Sequence, residues 1–221
     1  MPKIKNVFFI DFDDTLFNTK KFKKELIGIF KKNGVSEDQF KEFYYAGGGN
    51  KTAFSFERQV GMLKKKYNIS SRRLILDFNV FIGDISCFLF RDTKSFLQKI
   101  KNKNNYLILL SYGDVKFQKK KILNSGIADF FDEIIITEGV KIAIIEKHKQ
   151  ANSSERVIFI EDHPKQLDAV MKKFSKDKKN KLFKKIDVIK IARKSGRYSN
   201  VKTEFPFERF ENFSDIIKKV C

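Results

Sequence analysis

Five short stretches of the chain are almost continuously apolar: Val7–Asp11, Tyr106–Ser111, Glu133–Thr137, Val157–Glu161 and Asp187–Ala192. Their length and their content of β-branched and aromatic residues mark them as strands. Continuity, rather than alternation with polar residues, marks strands covered on both faces, as in a parallel sheet. Between them the apolar positions change period. Val115–Asn124 and Pro164–Ser175 read as helices, the second with Leu167, Val170, Met171 and Phe174 at i, i+3, i+4 and i+7. Pro164 suits a first helical turn, where its missing N–H costs nothing. The alternation predicts an α/β fold built from βα units around a parallel sheet.

The stretch from Thr19 to Arg91 breaks the alternation, because it carries helical patterns and no strand. Leu26, Ile29 and Phe30 mark one amphipathic helix, and Ser36 with Gln39 is a capping-box start for a second. Gly47-Gly48-Gly49-Asn50 interrupts the chain, and two further helices are expected over Phe56–Tyr67 and Ser71–Phe90. This predicts an all-helical domain, 19–91, inserted after the first strand, with 1–18 and 92–221 forming the core. The lysine-rich run Lys172–Lys185 is expected to extend the helix that begins at Pro164 and to turn into the last strand.

Composition narrows the class without naming a chemistry. A chain of 221 residues with 42% hydrophobic residues, 33% charged residues and three prolines is that of a globular protein able to bury its own core. The apolar start at Val7–Ile10 is cut short by Asp11, so no signal peptide is expected, and no run reaches the length of a membrane span. Cys87 and Cys221 lie far apart without metal-ligand spacing, which fits a reducing, cytoplasmic location. The formal net charge of +19 should attract polyanions, so weak nonspecific nucleic acid binding is expected, with no membrane association. The competing reading is compositional drift, since Lys, Asn, Ile and Phe are abundant together; drift is the preferred explanation. In either case the field would draw phosphorylated substrates, and the chain is expected as a monomer or weak dimer.

The strand Val7–Ile10 ends in three carboxylates and a hydroxyl, Asp11, Asp13, Asp14 and Thr15, and the equally apolar Val157–Ile160 ends in Glu161-Asp162. Like charges this close repel, and in open parallel sheets ligands bind at the carboxyl ends of strands. Two such ends therefore point to one site holding a cation, a shared proton, or both. Ligands that offer only oxygen favour magnesium over zinc.

Asp11-Phe12-Asp13-Asp14-Thr15 after an apolar strand resembles the first motif of the haloacid dehalogenase (HAD) superfamily. Ser111 matches the second motif, Lys141 the third, and Glu161-Asp162 the fourth, in order and with agreeing spacing. The resemblance implies a Rossmann-like core with a helical cap of the type inserted just after the first motif, and a Mg2+-dependent phosphohydrolase acting on a small phosphomonoester. Asp11 would be the nucleophile and form an aspartyl-phosphate; Asp13 would be the acid and base. Mg2+ would sit at Asp11, Asp13 and Asp162, with Asp13 contributing its backbone carbonyl, while Ser111 and Lys141 hold the phosphoryl oxygens. Thr15 would help set the first loop. Gln166 stands four residues after Asp162, where the family has Asp or Asn, and Lys147 and Lys149 are rivals to Lys141.

Several residues have a bland reading instead. His163 is expected as a loop residue, His148 at the surface, and Phe40, Phe43 and Tyr44 in the core, while Arg58 is a loose candidate for substrate contact. The alternatives to a phosphatase are a sugar-phosphate mutase of the same fold and a basic nucleic-acid-associated module with little catalysis. A dehalogenase is disfavoured, because halide displacement does not require the metal site that these acids would make.

Overall fold

The structure, a computed structural model, describes residues 6–44, 53–151, 156–176 and 186–220. Six strands form one sheet: β1 (Asn6–Ile10), β2 (Tyr106–Tyr112), β3 (Glu133–Thr137), β4 (Arg156–Glu161), β5 (Ile186–Ile191) and β6 (Arg209–Phe210). They lie in the order β3-β2-β1-β4-β5-β6, and every neighbouring pair is parallel. The architecture is α/β and Rossmann-like. The five predicted strands are all present, each within a residue of its expected ends, and β6 is a short edge strand that the apolar pattern does not reveal.

β1 lies in the middle of the sheet, and successive residues serve opposite faces. Val7 and Phe9 join Ile108, Leu110, Val157 and Phe159 beneath α7 (Lys141–Ala151) and α8 (Pro164–Lys176). Phe8 and Ile10 join Leu107, Leu109, Ile158 and Ile160 on the other side. That second layer runs without interruption into the segment between β1 and β2, which holds α1 (Thr19–Lys32), α2 (Glu37–Tyr44), α3 (Phe56–Tyr67) and α4 (Ser71–Gly83). Phenylalanines supply the continuity: Phe17 packs on Phe22 and Phe88, Phe30 on Phe40 and Phe56, and Phe78 on Phe117 of α6 (Val115–Asn124). Each such ring contributes roughly 1.5–3 kcal/mol by leaving water. Phe40 is fully buried and Phe43 and Tyr44 pack against the same layer, as the bland reading expects.

Local rules account for the boundaries. Ser36 and Gln39 form the expected reciprocal cap, with Gln39 N donating to Ser36 Oγ at 3.2 Å and Ser36 N to Gln39 Oε1 at 2.8 Å. The helix expected over Ser71–Phe90 stops at Gly83, however. Asp84 turns extended and its side chain accepts from Ser86 N at 2.9 Å, giving the backbone an alternative to another helical turn. The chain then returns beside its own exit: Asn18 N donates to Phe88 O at 2.7 Å and Phe90 N to Leu16 O at 3.0 Å. Three helices escaped the periodic reading: α5 (Thr93–Lys101), α7 and α9 (Phe213–Val220). The Gly47–Asn50 break and most of the Lys172–Lys185 run lie outside the described residues; α8 continues to Lys176.

The residues after β5 fasten the two halves of the core. The guanidinium of Arg193 is buried between the rings of Phe90 and Phe213, bonds Asp92 Oδ2 at 2.8 Å and donates from Nε to Thr15 O at 3.1 Å. Phe213 N donates to the same Asp92 oxygen at 2.8 Å. Cys87 is a free thiol, and Cys221 lies outside the described residues.

Candidate active site

The strand order reverses around β1, whose neighbours β2 and β4 lead to opposite ends of the sheet, and a crevice forms beyond the carboxyl ends of such strands. Every acid proposed from the sequence emerges there. Asp11 follows β1 directly and its N–H still pairs with Ile160 O of β4 at 3.0 Å, so Asp11 and the acidic pair share one edge of the sheet. Ser111 lies at the end of β2, Glu161 ends β4 with Asp162 next, and Lys141 opens α7.

Lys141 separates itself from its rivals. Its buried Nζ donates to Asp11 Oδ1 at 2.5 Å and to Glu161 Oε2 at 2.7 Å. Burial opposes its charge, but the two carboxylates outweigh it and hold the ammonium above its ordinary value. Gln166 Oε1 accepts from Lys141 N at 3.4 Å, so the residue that departs from the family pattern braces the start of α7. Lys147 is exposed on the same helix. Lys149 is buried, but at 1.5 Å per residue it lies about 12 Å further along the axis.

Oxygen atoms of Asp11, Glu161 and Asp162 lie within 4.8 Å of one another. Glu161 is already occupied: beside Lys141 on Oε2, its Oε1 accepts from Asp162 N at 3.1 Å and His163 N at 3.0 Å. Asp11 Oδ2 and Asp162 Oδ2, by contrast, are buried without a hydrogen-bond partner among the described residues. Burial, then the charge of Glu161, pushes the Asp11 carboxyl up to about 7; burial and the charges of Asp11 and Glu161 push Asp162 well above the usual range. Two orphaned carboxylate oxygens that resist sharing negative charge are what a hard divalent cation would satisfy, so the donor set fits Mg2+.

Asp13 faces away from that group. Its Oδ1 accepts from Thr19 Oγ1 at 2.6 Å and from Lys121 Nζ at 2.5 Å, and its Oδ2 from Gln118 Nε2 at 2.6 Å. Burial favours the neutral acid, but the Lys121 charge and these hydrogen bonds outweigh it and hold Asp13 below the ordinary carboxylate value. Any part of Asp13 in holding a cation therefore belongs to its backbone carbonyl, not to its side chain. The same Gln118 nitrogen reaches Ser111 Oγ at 2.9 Å, leaving the serine hydroxyl proton available to a phosphoryl oxygen. Gly113, at φ +154, is required here, since a Cβ would stand 2.6 Å from Gln118 Cγ.

The rest of the first loop is held from outside. Asp14 sits in the left-handed region at φ 56, donates its N–H to Phe17 O at 2.8 Å, and accepts from Arg197 N at 3.4 Å. Burial and the charge of Asp13 push its carboxyl up to about 6. Thr15 is fully buried and fixes the loop through its carbonyl, held by Arg193, while its hydroxyl has no partner among the described residues. His163 is a loop residue beside Tyr198. His148, expected at the surface, instead sits half-buried with its ring edge-on to Phe9. Arg58 turns back to Ala53 O in its own segment.

Gln118, Lys121 and Thr19 were not legible as site residues. The signal that could have found two of them is positional: with Phe117 and Ile122, Gln118 and Lys121 are the buried residues of α6, a polar pair on an apolar stripe.

A family profile described as haloacid dehalogenase-like hydrolase matches residues 5–180. The chain belongs to that family. No curated protein matches it significantly. Among solved structures it is similar to a protein of Burkholderia xenovorans described as a haloacid dehalogenase-like hydrolase, with TM-score 0.73 and 16% identity over 99% of this chain and 97% of that one. It is also similar to the Bacillus subtilis HAD-hydrolase YfnB bound to magnesium, with TM-score 0.58 and 14% identity over 99% of each chain. The L-2-haloacid dehalogenase of Xanthobacter autotrophicus has TM-score 0.61 and 15% identity over 99% of this chain and 98% of that one. At these identities the likeness carries the fold, and the fold hosts more than one chemistry.

Proposed function

We propose that this HAD-family hydrolase is a Mg2+-dependent phosphohydrolase acting on a small phosphomonoester, with residues 19–91 as a cap over the site. The carrying observation is the pair of orphaned oxygens on Asp11 and Asp162, since displacement of halide by a carboxylate needs no cation beside the nucleophile. Held by Asp11, Asp162 and the Asp13 carbonyl, the cation would neutralise charge that otherwise opposes approach of one anion to another.

The protein's own groups divide the remaining work. Lys141 is a fixed positive charge beside Asp11, placed to receive a phosphoryl oxygen, and Ser111 offers its hydroxyl to another. As the Asp11 oxygen bonds to phosphorus, the bond to the leaving oxygen breaks, and that oxygen takes a proton from Asp13, which must first take one up against the pull of Lys121. Asp13 then removes a proton from the water that attacks the phosphorus of the aspartyl-phosphate, releasing phosphate and restoring Asp11. The helical segment, which shares its apolar layer with the sheet, limits water at the site.

The test is turnover of a panel of phosphomonoesters by the purified protein. Activity is expected to vanish in chelator and return with Mg2+, and Asp11→Asn is expected to form no phosphoenzyme. Full turnover in chelator, restoration by zinc alone, or halide release from 2-haloacids without phosphatase activity overturns the reading.

A further inference from the structure

The ammonium of Lys121 is nearly inaccessible, with only 4% of the side chain exposed, and lies 5.1 to 5.6 Å from the ring centroids of Phe12, Phe17, Phe22 and Phe117. These rings come from the loop after β1, from α1 and from α6, so the lysine stands where the catalytic loop, the inserted segment and the core meet. Its ion-pair partner is Asp13, whose side chain remains 30% exposed to the cleft. A buried ion pair is a poor stabilising device, because a pair of apolar side chains of similar volume generally does as well or better. The lysine's effect on Asp13 offers another reason for it.

An ionised carboxylate offers about four lone-pair positions, two on each oxygen. On Asp13 both positions of Oδ1 are filled, by Thr19 and Lys121, while Oδ2 receives Gln118 alone. We propose that Lys121 is a positioning residue for the reaction: with Thr19 and Gln118 it locks the Asp13 carboxylate in one orientation and leaves a single position, on Oδ2, to exchange a proton with the leaving group and with water. The inference rests on the acid/base reading of Asp13. It adds that the precision of that step is set from α6 and the start of α1.

The test separates positioning from stability. Lys121→Met keeps an unbranched, polarizable chain among the four rings and removes only the ammonium. The measurement is kcat/KM of the full-length Mg2+-loaded enzyme across substituted aryl phosphates, from p-nitrophenyl to unsubstituted phenyl phosphate. This ratio reports the steps up to phosphorylation of Asp11, and a poorer leaving group depends more on the acid. Lys121→Met is expected to stay within about 3-fold of wild type on p-nitrophenyl phosphate and to lose on the order of 10-fold or more on phenyl phosphate, with Tm lowered because Asp13 loses its ion-pair partner. Asp13→Asn should give a steeper dependence still, and the double variant no steeper than Asp13→Asn alone, as for groups acting as a unit.

An equal loss on all substrates, an unaltered dependence, or additive effects in the double variant overturns the role of Lys121. A leaving-group dependence left flat by Asp13→Asn overturns the acid reading itself and the proposal with it. Gln118→Met supplies a second reading if Lys121→Met does not fold, since it withdraws a donor from the same carboxylate. A wild-type dependence in that variant overturns the proposal.

Discussion

Lys141 faces three buried acids, Asp11, Glu161 and Asp162, and two of them bond its ammonium directly. Removing the lysine leaves their charge uncompensated in a buried site. Lys141→Ala is therefore expected to lose about 3–5 kcal/mol of stability in denaturant titration, the usual cost of orphaning a buried ion pair. Added Mg2+ should return part of it. Lys147→Ala, exposed on the same helix, should stay within about 0.5 kcal/mol of wild type and keep its activity. If the two variants behave alike, Lys141 is not the site lysine. The sequence pattern left three lysines in contention because a lone lysine carries no signal among 46 Lys and Arg residues; place in the fold distinguishes them, since Lys149 is buried as well.

At the scale of elements, the ends of β1 and β4 press Asp11 and Asp162 together, and this gives stability a pH dependence of definite sign. The folded, cation-free Asp11 carboxyl titrates near 7 against an ordinary 3.8, and Asp162 is displaced the same way. Between those values the folded state holds more protons than the unfolded one, so stability falls as pH rises through the window. Thermal unfolding in chelator should give a Tm that declines from pH 5 towards 7, while Mg2+ should raise Tm more at the upper end than at the lower. Asp13 and Glu37, displaced downwards, act at lower pH; within the window Asp14, raised to about 6, adds to the fall, and His163, held down by burial, opposes it. A chelated protein whose Tm rises over this range would contradict the clustering. The strands that create the cluster were legible because burial on both faces enforces unbroken apolar runs. α7 was not, since Ile142, Ala143, Ile144 and Ile145 are contiguous and show no helical period. α9 has helical spacing in Phe213, Ile216 and Val220, but it is only eight residues long. The acids at the strand ends were legible as a group, whereas two of the donors to Asp13, Gln118 and Lys121, come from a distant helix that only folding brings near.

For the whole molecule, Arg193 joins what the chain order separates: the catalytic loop through Thr15, the return from the insertion through Asp92 and Phe90, and α9 through Phe213. Arg193→Ala is expected to cost stability near the lower end of roughly 3–5 kcal/mol, because Asp92 retains some contact with solvent. It should also lower kcat/KM by loosening the first loop. A stable variant with normal kinetics would show that the clamp is redundant.

The paired backbone bonds between Leu16–Asn18 and Phe88–Phe90 place the exit and the return of the insertion side by side. A segment whose two ends meet can be exchanged for another as a cassette, with the catalytic sheet left untouched and only two neighbouring strands to match. Thr19, the first residue of α1, lies immediately beyond that seam and already holds Asp13. A graft cut at Asn18 would therefore bring its own group against the acid proposed to transfer the proton, so that a change of substrate range and a change of chemistry would be inherited together.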